Sequence, residues 1–198
     1  MALISRRVAL AAGATLLSAG APRNSPAGTR WEYSGTRWDV SGRGLPDVAS
    51  VLVPVEPPKP PPVGVFLDAE GNEHSFESFR GHGMVVNLWA TWCQPCVAEM
   101  PSLAALSKAL APFDIAVLPL SSDRGGAKMV ASWFESHQVS GLPVLVDPRG
   151  ALARAWGGDG IPATHVISRD GKERASLEGA ADWSSDAAVA LIRRLVEG

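Results

Sequence analysis

The chain predicts one α/β domain with a mixed central sheet. Three observations carry this: strands alternate with helices after residue 63, one apolar run reads as a buried strand, and an antiparallel pair plus a helix close the chain. Val65-Phe66-Leu67 and Glu73-His74-Ser75-Phe76 flank Asp68-Ala69-Glu70-Gly71-Asn72, a hairpin signal. Met84–Trp89 is continuously apolar except for Asn87, as expected of a central strand covered on both faces. Gln94–Leu110 places Val97, Met100, Leu103, Ala104, Leu106 and Leu110 on a helical stripe, with a kink expected at Pro101. Asp114–Leu120 reads as a strand, Lys128–His137 as a helix, Pro143–Val146 as a strand and Ala151–Trp156 as a short helix. Thr164–Ile167 and Glu173–Leu177 form a second hairpin turning at Arg169-Asp170-Gly171, and Ser185–Val196 is an amphipathic helix.

The segment ahead of this domain has a different character. Arg6 and Arg7 precede an uncharged stretch, Val8–Ala21, that is rich in Ala, Leu and Gly and ends at Ala19-Gly20-Ala21. A basic start, a short apolar region and a small-residue site describe an export signal over residues 1–21. Ser5-Arg6-Arg7-Val8-Ala9-Leu10 also follows the twin-arginine pattern, with Ala9 where Phe is usual. An uncleaved helical anchor is the alternative, and it too would leave the domain outside the cytoplasm. Residues 22–62 read as a flexible linker. Within it Thr29–Gly35 is nearly repeated by Thr36–Gly42, and six of the nine residues Pro54–Pro62 are proline, which favours a polyproline II spacer.

Composition excludes some functions. Eighteen basic residues balance 20 acidic ones, so no nucleic-acid or other polyanionic partner is implied. The only two cysteines, Cys93 and Cys96, are too close in sequence for their pairing to restrain the unfolded chain much, so their value is chemical. Zinc needs four ligands, and His74, His82, His137 and His165 are scattered without paired spacing. The peroxidatic pattern P-x-x-x-T-x-x-C is absent, because Val86 and Ala90 occupy its Pro and Thr positions. What remains is a redox dithiol.

Cys93 falls where strand gives way to helix, and a helix N-terminus stabilises a thiolate. Cys96 lies one turn on and within reach, so Cys93 is the attacking sulfur and Cys96 the resolving one. Glu99 shares their side of the helix, where a carboxylate can carry a proton for the resolving step. Pro162, in Gly160-Ile161-Pro162-Ala163-Thr164, opens a strand; its spacing fits either a turn proline or a cis one.

Val86-Asn87-Leu88-Trp89-Ala90-Thr91-Trp92-Cys93-Gln94-Pro95-Cys96-Val97-Ala98-Glu99-Met100-Pro101 closely resembles the active-site segment of thioredoxin-like proteins of the TlpA/ResA type. The resemblance spans residues 63–198 and implies a thioredoxin-like fold with an added N-terminal β-hairpin. It implies a cis-Pro162 facing the cysteines, with Ile161 and Pro162 pairing to a bound substrate segment and Trp92 and Pro95 beside it. It supports Glu99 as the acid beside the dithiol, since Asn87 replaces the buried Asp of cytosolic thioredoxins and cannot accept a proton.

Thiol–disulfide oxidoreduction outside the cytoplasm is the implied activity, with no cofactor. The implied clients are proteins with cysteine thiols or disulfides in cytochrome c or copper-oxidase biogenesis. A membrane thiol–disulfide carrier would supply electrons to a monomeric enzyme. The competing reading is a copper chaperone of the same fold, with Cys93, Cys96 and His165 as ligands, since imidazole and thiolate both suit copper.

Overall fold

The structure, a computed structural model, describes residues 44–157 and 160–198. The export signal and the Thr29–Gly42 repeat lie outside the described residues. In chain order the elements are β1 (Val53–Lys59), β2 (Phe66–Leu67), β3 (Glu73–His74), β4 (Gly83–Trp89), α1 (Gln94–Leu110), β5 (Ile115–Ser121) and α2 (Gly126–Ser136). There follow β6 (Leu145–Val146), α3 (Ala151–Trp156), β7 (Ala163–Ile167), β8 (Glu173–Glu178) and α4 (Asp186–Glu197). The strands join in one sheet in the order β1-β8-β7-β4-β5-β6-β2-β3. It is mixed: β4 runs parallel to β5 and antiparallel to β7.

All seven residues of β4 are buried, and their alternation divides the core in two. Val85 and Trp89 pack with Met100, Leu103 and Leu106 of α1 and with Ala188 and Ile192 of α4. Met84, Val86 and Leu88 face the opposite layer with Phe66, Phe76, Leu145 and Leu152. The predicted hairpin forms, pairing Phe66 with His74 and Leu67 with Glu73, and it extends the sheet because Leu67 also pairs with Val146. In its turn, the Asp68 carboxylate accepts from the N–H groups of Glu70 and Asn72. α1 continues through Pro101, which lies on its exposed side where a missing N–H costs least.

The folded unit starts earlier than residue 63. Val53–Lys59 is not a free spacer but an edge strand, pairing Val53 with Ser176, Pro54 with Ala175 and Lys59 with Glu173, with an irregular register between. Proline is admitted on a sheet edge, where its missing N–H faces away from the partner. Polyproline II and β backbones are both extended, so only the presence of β8 decides between them. Upstream, Val48 is fully buried in the α1 layer, and its N–H donates to the Asp182 carbonyl at 3.0 Å. The linker expected over 22–62 therefore gives way to folded chain over at least its last residues.

Candidate active site

The strand-to-helix junction places Cys93 at the N-cap of α1, with extended backbone and its sulfur accepting from the Cys96 N–H at 3.3 Å. Pro95 supplies the first turn, where a missing N–H has no helical partner to lose. Cys93 and Cys96 are joined as a disulfide, and both are buried, Cys93 with 5% of its surface exposed and Cys96 with none. Trp92 immediately before them is 68% exposed, a large apolar side chain presented to solvent beside the dithiol. Behind this loop, the buried Asp123 carboxylate accepts from the Thr91 N–H and hydroxyl at 2.8 Å each and from the Ser121 hydroxyl at 2.7 Å. The end of β5 thus holds the segment that leads into Cys93.

The Ile161–Pro162 peptide is cis. Its loop approaches the dithiol directly, with the Ile161 carbonyl oxygen 3.6 Å from Cys93 Sγ. The Pro162 carbonyl accepts from the Gly179 N–H at 2.8 Å, which ties the loop to the end of β8. Cys93, flanked in the chain by Trp92 and Pro95, therefore meets the Ile161–Pro162 loop.

Glu99 lies one turn deeper than Cys96 on α1 and is completely buried. Its Oε1 accepts from Asn87 Nδ2 at 2.9 Å, and its Oε2 accepts from the Ala181 N–H at 3.1 Å and the Trp183 indole N–H at 3.0 Å. Burial pushes the carboxyl up to about 7 against the opposing pull of these hydrogen bonds, so it exchanges a proton near neutrality. Trp183 and Ala181 were not legible as site residues, because no local spacing links them to Glu99. Thr164, whose hydroxyl accepts from the same Asn87 amide at 2.9 Å, was missed for the same reason.

His165 is not near the cysteines. It pairs across the sheet with Val86, so its side chain lies on the face away from α1 and the Asn87–Glu99 layer. There its ring stacks on Trp156, with centroids 4.2 Å apart, and Nδ1 donates to Glu173 Oε1 at 2.8 Å. Burial alone would raise the Glu173 carboxyl, but the bond to His165, its charge, the Trp156 indole and Lys59 outweigh this and lower it. The sheet thus separates His165 from the dithiol. The competing reading, in which His165 completes a copper site with the cysteines, does not hold; the ring packs and hydrogen-bonds within the sheet's other layer.

A profile of the AhpC/TSA family matches residues 59–176. The chain belongs to this family. It is 30% identical over 115 residues to the thiol-disulfide oxidoreductase ResA of Geobacillus thermodenitrificans, a match covering 58% of this chain and 65% of that one. A second ResA, from Bacillus thuringiensis subsp. konkukian, is 28% identical over 121 residues, covering 61% and 69%. The chain thus spans about two thirds of the length of these curated relatives. Among solved structures, a candidate thiol-disulfide oxidoreductase from Bacteroides vulgatus is 30% identical with a TM-score of 0.58, covering 69% of this chain and 94% of that one. A thiol:disulfide interchange protein of the thioredoxin family from Chlorobium tepidum is 25% identical with a TM-score of 0.57, covering 70% and 99%. The thioredoxin-like fold implied by the active-site segment is thereby established, together with its added hairpin. Among the described residues, no helix is long and apolar enough to cross a membrane.

Proposed function

We propose that the chain is a thiol–disulfide oxidoreductase that works outside the cytoplasm as a reductant of client proteins. The observation that carries this is the pairing of Cys93 and Cys96 at the start of α1, against the Ile161–Pro162 loop. The names of its relatives support the reaction class. The basic, Ala-rich start of the chain supports export, and the active-site resemblance supports clients of the cytochrome c or copper-oxidase assembly type.

In the reduced enzyme, the Cys93 thiolate attacks a client disulfide, one client sulfur leaves as thiolate, and a mixed disulfide forms. Cys96 then attacks Cys93 Sγ and releases the second client thiolate. Two electrons have passed to the client, and the enzyme is left with its Cys93–Cys96 disulfide. Glu99 takes the proton that Cys96 must lose. The exposed Trp92, with Pro95, Ile161 and Pro162, forms the surface on which a client segment docks. Donor thiols of a membrane carrier restore the dithiol by the reverse sequence, and the enzyme acts as a monomer.

Equilibration in graded redox buffers tests the direction. A potential near the thioredoxin end, about −270 mV, is expected, and one near about −120 mV would replace the reductant with an oxidase. Cys96→Ser should accumulate mixed disulfides on Cys93 in cells, and Cys93→Ser should accumulate none. Absence of trapped proteins from Cys96→Ser would remove the protein-client reading.

A further inference from the structure

Both donors to Glu99 Oε2 come from one short run, Ala181-Asp182-Trp183. Between them, the backbone of Asp182 bonds to a segment upstream of the sheet. The Val48 N–H donates to the Asp182 carbonyl at 3.0 Å, and the Asp182 N–H donates to the Pro46 carbonyl at 2.8 Å. Together they make a parallel bridge between Asp47 and Asp182. In extended chain, successive residues turn to opposite sides, so Asp182 bonds to this strap while the Ala181 N–H reaches Glu99.

The strap is anchored by its own residues. Val48 is completely buried and Leu45 is buried beside it in sequence. Asp47 caps the short turn that follows: its carboxylate accepts from the Ala49 N–H at 2.9 Å, and its carbonyl accepts from the Ser50 hydroxyl at 2.7 Å. Two residues before Ala181, the Gly179 N–H donates to the Pro162 carbonyl at 2.8 Å. One stretch of chain therefore touches the strap, the cis-proline loop and Glu99.

We propose that residues 45–48 are a positioning strap for Glu99: by gripping the backbone of Asp182, they keep the Ala181 N–H and the Trp183 indole on Oε2. This rests on the reading of Glu99 as proton carrier for Cys96 and adds what holds its donors in place. Burial raises the carboxyl, and the bonds from Trp183, Asn87 and Ala181 oppose it, so parting the strap withdraws support from the ionised form. Of the elements around Glu99, β4 and β7 bring Asn87 and Thr164, which do not titrate. Cys96, one turn earlier on α1, titrates only when reduced. The Asp182 carboxylate accepts from the Ser184 N–H and hydroxyl, the Asp47 carboxylate caps its own turn, and Asp186 at the start of α4 is exposed.

Val48→Pro breaks the grip directly. The proline ring replaces the N–H and meets the Asp182 carbonyl, so the two segments must part. Asp47 already has the extended backbone that suits a residue before proline, with φ −61° and ψ 127°, so the disturbance stays at this contact. Longer bonds to Oε2 favour the neutral acid, and the Glu99 midpoint should rise by about one pH unit. By linkage, ionised Glu99 should hold the strap about tenfold more firmly than neutral Glu99 in the wild type.

The test is an NMR titration of the Glu99 carboxyl carbon in the oxidised full chain, with amide hydrogen exchange at Val48. Val48→Pro should raise the Glu99 midpoint, and an unchanged or lowered midpoint overturns the proposal. The wild type supplies a check that needs no variant. Protection of the Val48 amide, corrected for the intrinsic rate, should rise about tenfold as pH crosses the Glu99 midpoint. Protection that stays flat or falls overturns the proposal as well. Phe76→Leu, which thins the opposite layer, should lower stability and leave the midpoint in place. An equal rise there would mean general loosening and would also overturn it. Disulfide reductase activity against pH separates the two readings. A midpoint raised by Val48→Pro with an unmoved activity profile removes Glu99 as proton carrier and keeps the strap. An activity profile that follows Glu99, with a midpoint indifferent to Val48→Pro, removes the strap alone.

Discussion

Glu99→Gln should change how stability depends on pH by an amount the buried site sets. The carboxyl lies at about 7 in the folded chain against an ordinary 4.5, with loss of solvation as the leading cause. A raised carboxyl favours the folded state fully while it is neutral in both states, below about pH 4.5. That contribution declines as pH rises, because ionising the buried group costs more than ionising the solvated one. The decline ends once pH passes the folded value near 7, and its full extent is about 3 kcal/mol. Because the side chain is completely buried, solvent screening does not reduce this figure. Gln keeps the shape and has no charge to gain, so the variant should lack the decline. Urea unfolding of the oxidised proteins at pH 4.5, 6, 7 and 8 measures the difference. Glu99→Gln should gain on the wild type by about 3 kcal/mol across that range, mostly between pH 5 and 7. Curves that stay parallel to within about 1 kcal/mol would refute the burial argument and the assignment of Glu99 as a proton carrier near neutrality.

Two further outcomes follow from the same geometry. Asp123→Ala removes a buried acceptor shared by the Thr91 N–H, the Thr91 hydroxyl and the Ser121 hydroxyl, so stability should fall by about 2–3 kcal/mol. Thiol exchange at Cys93 should slow with it, as read by insulin reduction. An exchange rate unchanged by this variant would show that Asp123 does not hold the Cys93 loop in place. His165→Phe leaves Oε1 of the buried Glu173 carboxylate without its hydrogen-bond partner and should cost about 2 kcal/mol in urea unfolding. Exchange at Cys93 should stay at the wild-type rate, because the sheet lies between; a changed thiol reactivity would contradict that separation.

Elements with strong local periodicity were legible in the chain. The apolar run of β4, the stripe of α1 and the turn at Arg169-Asp170-Gly171 each carry their own pattern, and the structure places them within a residue or two of expectation. β1 was not legible, because its prolines suit any extended backbone and only pairing with β8 makes it a strand. The site divides the same way. Cys93, Cys96 and Glu99 stand within one helical stretch, whereas the two donors to Glu99 Oε2 come from positions 82 and 84 residues away.

The sequence by itself determined the dithiol, its place at a helix start and the order of strands and helices from β2 onward, because each depends on neighbours a few positions apart. Tertiary structure alone decided which face of the sheet each residue serves. The pairing of β7 with β4 sets Thr164 beside Asn87 and Glu99, and turns the next residue, His165, to the opposite layer. A shift of one residue in that register would reverse both assignments, and no local pattern in either strand specifies it.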